Sequence, residues 1–476
     1  SGGAAGVAAA FGAPIGGTMF MLLELSSFHW RDAVVLRTFF GALVTTLALL
    51  CLRTLPGYAE VNFGDLSSSS LVDFGDFTTF GLSKWRLVDV PWYVLLAVLC
   101  GGAGALFTAV NHWITLHVRR RFQRRHRLLE AIAICVVTTT LAVALPAAFP
   151  RTTFCRPEVA DTELTMRRFY CPEGHFHELA TLFLSSGQSA ARTVLHTNFH
   201  WHSLTLSLFG VVYFLVSAFT FGIAVPGGIF VPAFLTGAVF GRLMGQLARD
   251  VDPSTDASCF ALVGGAALLT GVSRSTISMV VILLESSRDI TFATPLLFSV
   301  LIAKRFADMI NEGVIDNAIV LKGLPFLDSD PAPEAQVIPV DFIMARSPVV
   351  VEQCPTIEQV KAFLATEHSA LPVVDSDRRY IGLVSQTALR ELIADATGVV
   401  DIRPVMNKWA YTVRSGCPTS RVYRLFRSMG LRHVVVLDGE SNVVGMVTRR
   451  RLLDDMLSEA FNRVVEHGLD QQARAE

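Results

Sequence analysis

Gly222-Ile-Ala-Val-Pro-Gly-Gly-Ile-Phe-Val-Pro-Ala-Phe234 interrupts a long apolar region that runs from Leu204 to Phe221 before it and onward to Leu247 after it. A soluble core rarely places Pro226, Gly227, Gly228 and Pro232 in the middle of such a region. In a bilayer the break exposes backbone N–H groups that lipid cannot satisfy, so it is stable only where those groups face protein or a water-filled cavity. Two glycines let a ligand approach the backbone closely. Pro232 is expected to begin a fresh helix, since proline suits a first turn. The amides of Ile229, Phe230 and Val231 then point from a helix start into the membrane interior. They form an anion site from dipoles, without a formal positive charge. Interrupted helices of this kind mark transporter binding sites. The local sequence leaves a second reading open, an ordinary helix–loop–helix corner.

Gly228-Ile229-Phe230-Val231-Pro232 resembles the GxFxP signature of the CLC chloride channels and anion/proton exchangers. Composition agrees with a membrane protein that carries a soluble part: 51% of residues are hydrophobic, 17% are charged, and mean hydropathy is positive. A net charge of −1 argues against nucleic acid as a partner. The eight cysteines form neither a CxxC pair nor a zinc spacing, so no metal is expected. Most lie singly in apolar runs, where a buried thiol is the ordinary reading. Cys155 and Cys171 share a polar loop and would pair if that loop faces an oxidising lumen; the sequence leaves their state open. No signal peptide precedes the first apolar run, and the chain begins without Met inside an Ala/Gly-rich segment. It reads as a fragment whose amino terminus lies upstream.

Gly2 to Leu25 is apolar and rich in small residues that let membrane helices pack closely, with Pro14 as a break. Further spans are expected at Ala33–Leu52, Val90–His117, Leu128–Ala148, Leu204–Phe221 and Phe292–Ile310. Arg119-Arg-Arg-Phe-Gln-Arg-Arg-His-Arg127 carries six arginines between two spans, which the positive-inside rule puts in the cytosol. The loop from Pro150 to His175 then falls on the luminal or extracellular side. Phe176–Thr197 is expected as one short helix lying partly in the membrane. Ser258–Ser287 is expected as broken, tightly packed helices, with Arg274 in a structural role. Several apolar runs fall short of the ~20 residues needed to cross a bilayer, so tilted and partial helices are expected.

At Asp328-Ser-Asp-Pro-Ala-Pro333 the composition changes, and from Val337 onward the sequence is soluble α/β. Two similar units follow. The first has Met344, Ser347-Pro-Val-Val-Val351, a helix from Thr356, Leu371-Pro-Val-Val-Asp375 and Gly382-Leu-Val-Ser385. The second has Met406, Ala410-Tyr-Thr-Val413, a helix from Thr419, His433-Val-Val-Val-Leu-Asp438 and Gly445-Met-Val-Thr448. A repeat of about 60 residues with one hairpin-like strand pair per unit predicts a pseudo-twofold pair. Order, spacing and strand ends resemble tandem CBS domains.

The CLC resemblance extends over nearly the whole chain. Ala9-Ala-Phe-Gly-Ala-Pro14 followed by Phe20-Met-Leu-Leu-Glu24 is similar to one family segment, and Gly264 to Glu285 to another. Gly313-Val-Ile-Asp316 and Gly323-Leu-Pro-Phe-Leu327 resemble the exit from the last membrane helix. Cys171-Pro-Glu-Gly174 and Leu179-Ala-Thr-Leu-Phe183 resemble the lysosomal and plant vacuolar branch. The family's first anion motif and its gating-glutamate motif do not occur in this sequence; both are expected upstream of residue 1. The implied fold is a partial all-α multi-pass membrane domain of the inverted-repeat CLC type, followed by a cytosolic α/β tandem CBS pair. The expected boundaries are 1–327 for the membrane domain, 328–337 for a linker, 338–398 and 399–460 for the CBS domains, and 461–476 for a tail.

What the resemblance implies is secondary-active exchange of chloride or nitrate for protons across a vacuolar, lysosomal or other intracellular membrane. It implies a homodimer, with room for an accessory subunit, and no enzymatic chemistry. The anion would be held by the backbone of Gly228, Ile229, Phe230 and Val231. Ile315 stands where the family usually has a tyrosine whose hydroxyl helps hold the central anion. Glu24 would relay protons from the cytosol. By residue pattern alone it reads as a solvated helix-terminal glutamate, although an ionisable group at a membrane helix end is a functional candidate. Thr448 and Arg451 lie where nucleotide-binding CBS units contact ATP, ADP or AMP, but Arg451 replaces a frequent aspartate. Two alternatives stay open: a passive voltage-gated chloride channel and a non-conducting regulatory subunit.

Overall fold

The computed structural model describes residues 1–24, 32–54, 85–122, 124–149, 154–157, 166–197, 199–287, 289–324, 326–328, 330–365, 369–393 and 398–473. They fall into two compact units that divide after Lys322.

In the first unit the helices follow the apolar runs. In order they are α1 (Gly2–Phe11), α2 (Pro14–Leu23), α3 (Asp32–Thr54), α4 (Val90–His117) and α5 (Arg124–Ala148). A two-stranded antiparallel ribbon, β1 (Cys155–Pro157) with β2 (His175–His177), comes next. Then come α6 (Glu178–Phe183), α7 (Gly187–His196), α8 (Ser203–Thr220), α9 (Phe230–Val251), α10 (Ala257–Ser273), α11 (Ile277–Ser287), α12 (Ala293–Asp308) and α13 (Val314–Lys322). Among the described residues, six helical stretches, which contain α3, α4, α5, α8, α9 and α12, are long and apolar enough to cross a membrane. α1, α2, α10 and α11 are apolar but shorter.

The break expected at Pro14 is present: residues Gly2 to Leu23 form two helices, because Gly12 takes a left-handed conformation at φ 65° and Pro14 restarts the chain. One expectation is corrected in detail. Phe176–Thr197 is two helices as well, since the Ser186 side chain caps a new start by accepting from Ser189 N.

Glycine lets the central helices meet backbone to backbone. A Cβ on Gly245 of α9 would lie 2.8 Å from Ala257 Cα, and Gly237 faces Gly264 of α10 in the same way. Their core is continuous through Leu235, Ala238, Phe260, Leu262, Ala266 and Leu296, all buried. The loop before α6 is fixed by the Cys155–Cys171 disulfide and by Glu178, which is fully buried. Glu178 pairs with Arg156 and accepts from Thr205 Oγ at 2.9 Å. These contacts satisfy a carboxylate that burial alone would disfavour.

The second unit holds two sheets. β3 (Ala345–Arg346), β4 (Val351–Glu352), α14 (Ile357–Leu364), β5 (Ala370–Val374), β6 (Tyr380–Ser385) and α15 (Gln386–Leu392) make the first repeat. β7 (Thr412–Arg414), α16 (Thr419–Met429), β8 (His433–Leu437), β9 (Val443–Thr448) and α17 (Asp454–Ala473) make the second. In each, a parallel pair adjoins an antiparallel one: β4–β5–β6 and β7–β8–β9.

The repeats exchange their leading segments. β3 pairs with β9, so residues 345–346, expected within the first CBS domain (338–398), extend the second sheet. In return Asn407 pairs with Leu383 of β6, at 2.7 and 3.0 Å. The glycine of each repeated strand has a role in this exchange. A Cβ on Gly382 would meet Met406 Sδ at 3.2 Å, and one on Gly445 would meet Met344 Cγ at 2.8 Å. Each glycine therefore leaves room for the methionine that leads the other repeat.

Candidate functional site

α8 stops at Thr220, and its last carbonyls would be unpaired without outside donors. Asn111 Nδ2 donates to Ala218 O at 3.0 Å and to Phe221 O at 2.7 Å. Arg119 donates to Phe221 O at 2.6 Å and also to Phe219 O, while its Nε pairs with Glu130 at 2.7 Å. The first arginine of the basic loop is thus buried and ends a helix, rather than lying among the surface charges. Gly222 turns the chain at φ +88°, and a Cβ there would sit 2.8 Å from Arg119 Nη1.

The chain then passes Pro226, Gly227 and Gly228, all exposed, and α9 begins at Phe230 with Ile229 as its N-cap. This start lies two residues before Pro232, which occupies the third helical position, where its missing N–H is still one of the unpaired set. Among the described residues no side chain caps the start, and its first intrahelical bond is Ala233 N to Ile229 O at 3.1 Å. Ile229, Phe230 and Val231 stand together at this helix start.

A cavity of about 230 Å³ borders this start, lined by Phe107, Tyr213, Ser217, Gly227, Gly228 and Ile229 among others. A second, of about 840 Å³, shares Phe221 and Gly222 with it and is lined by Arg119, Arg120, Arg127 and Lys322. Ile315, in the first turn of α13, borders the same apolar cluster as Ile229 and Phe230, and Val314 lines the larger cavity.

A second interruption separates α10 from α11. Arg274 takes a left-handed conformation at φ 63° and closes α10. Its guanidinium donates to Asn311 O at 2.9 Å and Oδ1 at 2.6 Å and lies 3.4 Å from Asp308. That is the structural role expected of it. Glu24, the C-cap of α2, reaches the opposite side of the break. Its Oε1 accepts from Thr276 N at 3.2 Å and Ser278 Oγ at 2.9 Å. Glu24 is therefore held rather than freely solvated. Its helix also reaches the first break: Phe20 borders the cluster of Ile229 and Phe230, and Phe11 of α1 lies 4.2 Å from Phe230 between ring centroids.

With both breaks described, comparison with known proteins gives them a family. The family model for the voltage gated chloride channel matches residues 1–308. The chain belongs to that family. The CBS domain model matches residues 340–395 and 400–469. The chain is 30% identical to the human H(+)/Cl(-) exchange transporter 7, over 100% of this chain and 64% of that protein. It thus spans a little under two thirds of that relative's length. It is 30% identical to chloride channel protein C of Dictyostelium discoideum, over 95% of this chain and 66% of that one. With CLC-b of Arabidopsis thaliana it shares 28% identity, over 97% and 67% of the two chains. A crystal structure of a eukaryotic CLC transporter superposes with a TM-score of 0.57 at 21% identity, covering 94% of this chain and 69% of that one. That match shows the fold.

Thr448 and Arg451 lie in the other unit. Thr448 ends β9 opposite His433, and Arg451 follows in a 3-10 turn; both are half-buried. Several side chains build the site through partners that the motifs do not name: Asn111 and Arg242 lie in no motif, and Arg119, Ser278 and Glu285 lie in quoted segments that leave their partners unspecified. Asn111 and Arg119 act on carbonyls about a hundred residues away, and Ser278 and Glu285 act across two helices. Arg242, buried in α9, donates to Ser258 Oγ at 2.8 Å and to Thr197 O. Their sequence signal is a polar residue inside an apolar run, which marks a partner without naming it.

Proposed function

We propose that this protein exchanges an anion, chloride or nitrate, for protons across an intracellular membrane. The observation that carries the reading is the uncapped start of α9 beside a cavity. Such amides stabilise a dehydrated anion through their dipoles, without a cation that would hold it too tightly to release. Arg120, Arg127 and Lys322 around the neighbouring cavity raise the local anion concentration. Glu24 is the proton relay, and its hydrogen-bonded seat gives a moving carboxylate a defined resting place. The name of the human relative, an H(+)/Cl(-) exchange transporter, supports coupling to protons.

The test is reconstitution of the full-length protein into sealed vesicles. A chloride or nitrate gradient should drive protons uphill. Anion flux without proton movement would replace exchange by a passive channel, the second reading. Ile315 favours that alternative, because an apolar side chain near the site offers the anion no hydroxyl. Absence of any flux would point to a regulatory subunit.

We read the protein as a homodimer with one pathway per subunit, with or without an accessory subunit, in a vacuolar, lysosomal or related membrane. The CBS pair is read as cytosolic and as a weak binder of ATP, ADP or AMP. Arg451 lacks the carboxylate that would accept from ribose hydroxyls. Calorimetry should give weaker ATP binding than for Arg451→Asp, and micromolar affinity without the substitution would contradict this.

A further inference from the structure

α2 and α11 lie side by side and run in opposite directions. The start of α2 meets the end of α11, and the start of α11 meets the end of α2. They pack closely: a Cβ on Gly16 would lie 2.8 Å from the backbone N of Ile282. α2 presents its unpaired first amides to the last turn of α11, and α11 presents the amide of Thr276, just before its first residue, and the Ser278 hydroxyl to the end of α2. The N-cap of α2, Ala13, has no capping side chain, and Pro14 has no N–H, so Ile15 and Gly16 carry the first amides of the helix. Both donate to Glu285 near the end of α11, Ile15 N to Oε1 at 3.2 Å and Gly16 N to Oε2 at 2.8 Å. At the other end of the pair, Glu24 accepts from Thr276 N and Ser278 Oγ. Two glutamates thus cap two helices reciprocally, each the terminal acid of one helix on the start of the other.

We propose that Glu285 and Ser278 are positioning residues for Glu24, acting through this reciprocal cap. The inference rests on the reading of Glu24 as the proton relay. Glu285 fixes the register of α2 against α11 from the far end, one 10-residue helix away. That register decides whether the Glu24 carboxylate meets Thr276 N and Ser278 Oγ. A carboxylate bridging two amides holds a helix end by charge-assisted bonds and by the dipole, both stronger than a neutral cap. Loss of Glu285 lets α2 slide or fray at its start, and the relay then samples positions away from its seat. Loss of Ser278 removes one of the two donors at the seat itself. A single bond to a charged group corresponds to a change of about tenfold in occupancy.

The experiment measures the proton-to-anion ratio from reversal potentials in vesicles containing the full-length protein. This ratio does not depend on how much protein has folded. Glu24→Ala, Glu285→Ala, Glu285→Gln, Ser278→Ala and Ser278→Thr are compared with the unchanged chain. Glu285→Ala and Ser278→Ala should each lower the ratio several-fold, consistent with about a tenfold loss of seat occupancy. Ser278→Thr, which keeps the hydroxyl, should restore most of it, and Glu285→Gln, which keeps one acceptor but loses the charge and the second bond, should lie between Glu285→Ala and the unchanged chain. An unchanged ratio in both alanine variants, with coupling lost in Glu24→Ala, overturns the inference and leaves the relay reading standing. Coupling retained in Glu24→Ala overturns both. Should Glu285→Ala fail to fold, Ser278→Ala is compared with Ser278→Thr: a ratio lowered only in the alanine variant supports the inference, and equal ratios overturn it.

Discussion

The interruption between α8 and α9 and the one between α10 and α11 solve the same problem in opposite ways. Both break an apolar helix where lipid offers no hydrogen bonds. An arginine stands at each, in different roles: Arg119 takes the last carbonyls of α8, while Arg274, which closes α10, donates to Asn311 between α12 and α13. They differ at the helix that follows. At α11 the carboxyl of Glu24 already accepts from Thr276 N. At α9, among the described residues, no side chain caps the start, and Gly227 and Gly228 have nothing within 4 Å of where a Cβ would stand. A membrane helix start needs an anion or water in place of a cap. One break carries an acidic side chain of the protein at its helix start, and on the reading proposed above the other receives its anion from solution.

The largest expected effect tests the closed break. Glu24→Ala should abolish uphill proton movement while anion current continues, because the anion site keeps all its amides. Equal loss of both fluxes would show that Glu24 supports the fold rather than the relay, and the contrast between the breaks would lose its functional meaning.

Folding of the open break is tested next. Gly222→Ala places a Cβ at φ +88° and 2.8 Å from the Arg119 guanidinium. The strained backbone and displaced clamp should cost about 1–3 kcal/mol, read as a lower melting temperature of the purified protein. Gly227→Ala meets no atom within 4 Å and should melt like the unchanged chain. If Gly227→Ala destabilises as much as Gly222→Ala, the open segment is packed, and the space assigned to an anion is already filled.

Ile315→Tyr sharpens the same comparison. A hydroxyl beside the open start would donate one bond to the anion, worth roughly 1.5–3 kcal/mol for a charged acceptor. Anion binding should tighten by about tenfold, and the anion-to-proton ratio should fall as slippage is reduced. If neither changes, the side chain at 315 does not line the anion's position, although it borders the cluster of Ile229 and Phe230.

Legibility in the sequence divided along the range of the interactions. The open break was readable because Gly227, Gly228 and Pro232 are local exceptions in an apolar run, and such exceptions need a physical reason. The helix start was misplaced by two residues because proline is tolerated anywhere in a first turn. The repeat from Met344 to Thr448 was readable from its period, but the exchange of β3 and Asn407 between sheets was not. An alternating apolar pattern identifies a strand and leaves its neighbour unspecified. Arg119 looked like one of six cytosolic charges, and only the approach of Phe219 and Phe221 turns it into a clamp. The seat of Glu24 was equally hidden, since Thr276 and Ser278 lie about 250 residues along the chain.

The smallest expected effect is a control on pH. Any pH profile of exchange will be read as titration of the relay unless the acid sensitivity of the fold is removed first. Two histidines outside the spanning helices contribute to that sensitivity. Burial holds His177 below the ordinary histidine value, and its Nδ1 accepts from Ala180 N at 3.2 Å as the cap of α6. Burial, and then the charge of Arg432, lowers His433, whose Nε2 lies 2.9 Å from Ser369 Oγ. A histidine with a depressed folded pKa takes up its proton more readily in the unfolded chain. Its contribution to stability is therefore complete above about pH 6.5 and is lost as pH falls below that value. Melting temperature should drop on the acid side of that point. The drop should flatten in His177→Asn, which keeps a capping side chain, and in His433→Gln. An unchanged acid slope in both variants would assign the sensitivity to other groups. A flattened slope removes the contribution of these two histidines to the fold from any pH profile of proton movement measured on the same variants.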